Sequence, residues 1–125
     1  MKKNISYIVL FGFLILVSSC YYDSDEELYG TSVCNLENVT YRLSVTPIIS
    51  SHCYACHSLM TATANGAGII LEGYDKLNKM VKNGLLVESI IHGPNASPMP
   101  KNAPKISDCN INTIIKWIEN GAHDN

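Results

Sequence analysis

Cys53-Tyr54-Ala55-Cys56-His57 is the stretch that decides how this 125-residue chain is read. Two thiols three positions apart lie close together on one helical turn, and the next residue adds an imidazole beside them. A C-x-x-C-H run is the attachment signature of c-type haem. The thiols add to the two vinyl groups of one porphyrin, and His57 then offers a ring nitrogen to the iron. Two other chemistries compete for a C-x-x-C pair. A thioredoxin-like redox pair belongs in a strand-helix-strand pattern, which these flanks lack. A zinc site needs further ligands with similar spacing, and no second C-x-x-C occurs.

Upstream, Lys2 and Lys3 precede an apolar run from Ile5 to Val17, followed by Ser18-Ser19-Cys20. A basic start, an apolar middle and small residues before a boundary describe a secretory signal over residues 1–20. The run falls short of the roughly 20 apolar residues that span a bilayer comfortably. Val17-Ser18-Ser19-Cys20 resembles a bacterial lipobox, so Cys20 is expected to carry lipid as the first mature residue. An ordinary signal with an incidental Cys, or an uncleaved anchor, is the alternative. Several acyl chains on Cys20 hold a protein stably at a membrane, where a single chain is marginal. Residues 21–33, with Asp23, Asp25, Glu26 and Glu27, have no apolar period and read as a flexible acidic tether. The expected location is the cell envelope, facing the periplasm or the cell surface.

Removing residues 1–20 leaves 105 residues, enough for one small domain over residues 34–122 plus its tether. Without Lys2 and Lys3 the basic total falls from 9 to 7 against 11 acidic residues, a formal net charge of −4. No Lys/Arg run remains, which argues against nucleic acid as a partner. Of five cysteines, Cys20 is assigned to lipid and Cys53 with Cys56 to haem. Cys34 and Cys109 remain, an even pair in an oxidising compartment, and a disulfide between them is expected. Two buried free thiols are the alternative.

Within the domain, Thr46-Pro47 reads as an N-cap followed by Pro in the first helical turn, opening a short helix that delivers the cysteines. Residues 58–68 read as a loop. Tyr74, Leu77, Met80 and Val81 recur at helical spacing and stop at Asn83-Gly84. Leu86, Val87, Ile90 and Ile91 form a second stripe, ended by Gly93-Pro94. Four prolines keep residues 94–105 out of helix. Ser107 caps a last helix with Ile111, Ile114, Ile115 and Ile118 on one face, Trp117 beside them and Gly121 as its stop. Nothing alternates long enough to make a sheet, so the class is all-α. A core this small gains from a haem, against which Leu71, Leu77, Ile90 and Trp117 are expected to pack.

In this order the pieces resemble a small class I-type cytochrome c domain, of the kind carried by exported Bacteroidetes and Planctomycetes lipoproteins. The resemblance rests on Ile48-Ile49 before Cys53-Tyr54-Ala55-Cys56-His57-Ser58, then on Gly68-Ile69-Ile70-Leu71-Glu72-Gly73-Tyr74. Gly84-Leu85-Leu86, Pro98-Met99-Pro100 and Trp117-Ile118-Glu119-Asn120-Gly121-Ala122 complete it. One departure is Ala67 before Gly68, where the family has a Gly pair. The resemblance implies a class I cytochrome c-like fold of short helices around one covalent haem c, its first and last helices crossing near the haem edge. It also implies a propionate contact for Tyr74, with Tyr41 as a second candidate.

The function expected is that of a one-electron carrier, a monomer that meets redox partner proteins and transforms no substrate. Its iron ligands are His57 and Met99, a pairing that raises the potential relative to two histidines. Met99 lies 42 residues after His57, far enough to return on the other side of a porphyrin. Pro98 and Pro100 stiffen the loop that carries it. His92, just ahead of that loop, is the competing distal ligand. Met60 follows His57 too closely to reach the far side, Met80 belongs to an apolar stripe, and His52 and His123 read as solvated. An open-site haem, peroxidase-like or gas-binding, is the rival from the enzyme class. A structural lipoprotein with an incidental C-x-x-C-H is the third reading.

Overall fold

The computed structural model describes residues 34–125, and every described element is helical. The expected signal, Cys20 and the tether lie outside the described residues. Tyr41–Val45 form a π-helical turn that runs directly into α1 (Thr46–His52). After α1 come α2 (Tyr54–His57), α3 (Ala62–Asn65), α4 (Tyr74–Lys82), α5 (Leu85–Ile90) and α6 (Asp108–Glu119). The all-α class expected from the sequence is what the described residues adopt.

The helical start lies earlier than the sequence suggests. Thr40, not Thr46, is the N-cap, its hydroxyl accepting from Leu43 N–H. Pro47 explains the π turn. A proline inside an α-helix clashes with the carbonyl four residues back. Here the turn before it is widened, with the Thr46 amide bonded to Tyr41 O five residues back. Thr46 Oγ1 also donates to Tyr41 O, so the hydroxyl reinforces that wide turn.

At the other end the sequence signals hold. Ser107 Oγ accepts from Asn110 N–H and starts α6. Gly121, at φ +97°, closes it: Gly121 N–H bonds Ile118 O and Ala122 N–H bonds Trp117 O. That pair of bonds is the Schellman pattern, which needs a left-handed residue at this position. Ala122 turns back into the core as the pattern requires.

The core is one cluster. α6 packs on the π turn and on α5, and α4 packs on α5. Trp117 and Ile114, at 1% and 0% exposed, sit at its centre rather than at the edge of the helical stripe. Tyr41, Tyr74 and Trp117 form an aromatic triangle with centroid separations of 5.3, 5.6 and 6.5 Å, joining the π turn, α4 and α6. Such pairs contribute roughly 0.5–1.5 kcal/mol each beyond their buried area. Leu71, Leu77, Ile90 and Trp117 are all buried within this cluster. Protein alone covers most of their apolar surface.

The backbone of residues 122–125 is fastened to the rest of the domain although the side chains of 123–125 are exposed. Tyr74 Oη donates to Ala122 O at 2.8 Å and Trp117 Nε1 donates to His123 O at 2.9 Å. Asn125 accepts from Tyr41 N–H through Oδ1 and from Arg42 N–H through its carbonyl. The side chains of His123, Asp124 and Asn125 remain exposed, as expected for His123. In this arrangement the one hydroxyl proton of Tyr74 is given to Ala122 O.

Cys34 and Cys109 are joined as a disulfide, with Cα atoms 5.4 Å apart and 75 residues of separation. The link ties the start of the described chain to the first turn of α6. Loop-closure entropy for a ring of this size is worth about 4 kcal/mol. Replacing both cysteines by Ser should therefore lower unfolding stability by up to about that amount, read from denaturant midpoints in matched samples. In the denatured, unreduced parent, thiol titration should detect neither Cys34 nor Cys109.

Candidate functional site

α1 ends at His52, and the chain makes one irregular step at Cys53 before the single turn of α2. Cys53 N–H continues the ladder to Ile49 O at 2.9 Å, and His57 N–H bonds Cys53 O at 2.8 Å. Cys53, Cys56 and His57 are thereby held on one compact turn. Cys53 is half-buried and packs against the core, whereas Cys56 is exposed, and neither is in a disulfide. Burial pushes the Cys53 thiol up to about 11, so it stays protonated at neutral pH.

His57 is fixed by a partner that the sequence did not point to. Its Nδ1 lies 2.9 Å from Ile69 O. A carbonyl can only accept, so Nδ1 carries the proton and Nε2 keeps a bare lone pair. The same segment holds the His57 backbone, because Leu71 N–H donates to His57 O at 2.9 Å. Gly66 lies buried beneath. A Cβ there would run into Cys56 O and come within 2.8 Å of His57 Nδ1. Gly66 is therefore a glycine of close approach, whereas its sequence context marked only a loop.

The segment after His57 is a hydrogen-bonded knot. Ser58 and Thr61 bond reciprocally: each backbone N–H donates to the other's hydroxyl at 3.2 Å. Thr61 Oγ1 also donates to Tyr54 O, and Leu59 N–H donates to Glu72 Oε2 at 2.8 Å. These bonds tie α2 to α3 and to the 69–73 segment. They leave Met60 on the outside, 90% exposed.

Met99 lies on the separate α5–α6 loop, half-buried between Pro98 and Pro100, with a cis peptide to Pro100. Met99 N–H donates to Ser89 O at 2.9 Å, and Met99 O accepts from His92 Nε2 at 3.1 Å. The Met99 residue is thus held at both backbone ends from the C-terminus of α5. His92 itself has φ +59°. Left-handed geometry costs a non-glycine residue about 1–2 kcal/mol.

Three of the expected residues, Cys53, Cys56 and His57, are thus brought together, and Met99 is held on its own loop. Comparison with family models, curated proteins and solved structures finds no match.

His52 and His57 do stand at an H-x₄-H spacing, which zinc sites also use. His52 Nε2 is bonded instead to Asn110 Nδ2 at 3.2 Å. Among the described residues no group of three or more His, Cys, Asp and Glu converges on a metal position. Nor is there a strand among them to carry a thioredoxin-like pair.

Gly66→Ala should lower stability by roughly 1–3 kcal/mol, the range for overpacking a tight site. It should also break the His57–Ile69 bond, which ¹⁵N NMR would register as a loss of the single Nδ1–H tautomer. A variant with native stability and an unchanged tautomer would remove Gly66 from the site.

Proposed function

We propose that this chain is an exported, lipid-anchored monohaem c-type cytochrome that carries single electrons. The observation carrying the reading is the His57–Ile69 hydrogen bond, which leaves Nε2 bare beside two unpaired thiols at C-x-x-C-H spacing. A metal-ligating imidazole characteristically donates its other N–H to a carbonyl or carboxylate, which fixes its tautomer and raises its basicity. Cys53 and Cys56 would supply the two thioether links, His57 the proximal nitrogen and Met99 the distal thioether. The residues present therefore fit one haem c, and the helical order is read as the small class I cytochrome c-like fold.

When bound, such a haem supplies an Fe(II)/Fe(III) couple with no substrate transformed. The work left to the chain is to hold and to exclude. The 66–71 segment fixes the His57 ring, and the half-buried Cys53 keeps one thiol on the core side. The exposed Cys56 leaves the other open to the solvent. A neutral thioether from Met99 favours the reduced iron more than a second imidazole does. Partners are redox proteins, and attachment to the membrane runs through Cys20.

The test is haem staining of the chain after denaturing electrophoresis, since thioether-bound haem stays with the polypeptide. The parent should stain, and the double change Cys53→Ser with Cys56→Ser should not. A parent expressed alongside haem-attachment machinery yet free of covalent haem would sink the reading. Met99→Ala should keep the stain, lose the weak near-red sulfur-to-iron band and lower the potential. Retained low-spin character with an unchanged band would assign the distal position to another residue.

A second test addresses the anchor. Cys20→Ser should shift the protein from the membrane to the soluble fraction, or arrest its maturation. Quantitative retention of that variant in membranes would point to an uncleaved N-terminal anchor.

A further inference from the structure

We infer that His92 is a positioning residue for Met99, fixing the backbone from which the thioether reaches iron; this rests on the assignment of Met99 as distal ligand. Met99 is clamped twice, by Ser89 O on its N–H and by His92 Nε2 on its carbonyl. Both clamps come from the end of α5, so the loop is registered to that helix rather than to its own prolines alone. Glu88, also on α5, adds a third tie by accepting from Asn95 N–H and Nδ2 through Oε2.

The backbone at His92 points the same way. Gly93 N–H bonds Glu88 O and His92 N–H bonds Ser89 O, so α5 ends in the same Schellman pattern as α6. The left-handed position of that pattern, which Gly121 fills in α6, is filled in α5 by His92. Helix termination alone favours glycine there. Here the residue that carries this backbone strain also sets its ring on the Met99 carbonyl, which glycine could not do.

The same bond occupies one of the two His92 ring nitrogens. The carbonyl only accepts, so Nε2 carries the proton, and in the neutral ring only Nδ1 keeps a lone pair. A thioether is a weak neutral ligand, and its retention depends on how little freedom is lost when it binds. With the Met99 peptide held on both sides, only the side-chain torsions remain to be fixed.

His92→Gly isolates the ring, because glycine suits the left-handed backbone. In the haem-loaded protein this variant should keep its thermal midpoint, or raise it, and still bind haem covalently. Cyanide should displace the distal ligand of the oxidised protein at least tenfold faster than in the parent, and the near-red band should weaken. His92→Gln, with an amide donor in place of the ring, should recover part of the slow rate. Parental cyanide kinetics in His92→Gly would overturn the inference, leaving His92 as a helix terminator only. Complete loss of low-spin character in His92→Gly would overturn it differently, by making His92 the ligand.

Met99→Ala, run in parallel, isolates the underlying assignment. If it keeps the parental band and cyanide rate, Met99 is not the ligand and the inference falls with it. Hydrogen exchange at Met99 N–H gives a readout that does not need haem. It should accelerate at least tenfold in His92→Gly, and unchanged protection would count against the clamp.

Discussion

A neutral imidazole presents one bare nitrogen, and in this chain the Ile69 carbonyl decides which. That choice constrains much of the surrounding structure. For the carbonyl to reach Nδ1, the 66–71 segment must fold back over α2. For it to fold back, Gly66 must lie against the Cys56 carbonyl with no side chain between. The Leu71 amide then returns to His57 O, so the histidine is gripped through its ring and its backbone by one stretch of chain. A residue held by both its ring and its backbone has little rotational freedom left to lose when the second ring nitrogen is engaged.

A different set of contacts carries the stability of the domain. The aromatic triangle joins the π turn, α4 and α6, and two of its three polar tips are satisfied by the carbonyls of Ala122 and His123. A buried indole N–H or phenol left without a partner costs roughly 1–3 kcal/mol. Residues 122–125 are therefore part of the core in the energetic sense, although the side chains of 123–125 face water. The Arg42–Asp124 ion pair adds little to this, because both groups are exposed and screened.

What the sequence made legible were features written in side chains. Ser107 and Gly121 bounded α6, the Tyr74–Val81 and Leu86–Ile90 stripes became α4 and α5, and Cys34 and Cys109 found each other. What it left unread was written in the backbone. Ile69 contributes a carbonyl, which every residue has, so no sequence pattern singles it out. The clamps on Met99 are of the same kind. The helix start moved from Thr46 to Thr40 because a π turn accommodates Pro47, and both threonines carry the same capping chemistry. The Gly93-Pro94 stop was placed correctly to within a residue. The left-handed residue is nevertheless His92, which a rule built on glycine passes over. Trp117 became the centre of the core because a large ring can reach past the isoleucines that set the stripe.

The fastening of residues 122–125 also sets an order of events in time. A chain made from its N-terminus releases His57 a full 65 residues before Ala122. Until that stretch arrives, Tyr74 and Trp117 lack their carbonyl partners and the π turn lacks Asn125. The growing chain thus passes through an interval in which the C-x-x-C-H stretch has been made but the core beside it is unfinished. Cys53, half-buried in the completed domain, is most accessible during that interval. Residues 122–125 then act as a latch on the finished core against which Cys53 packs.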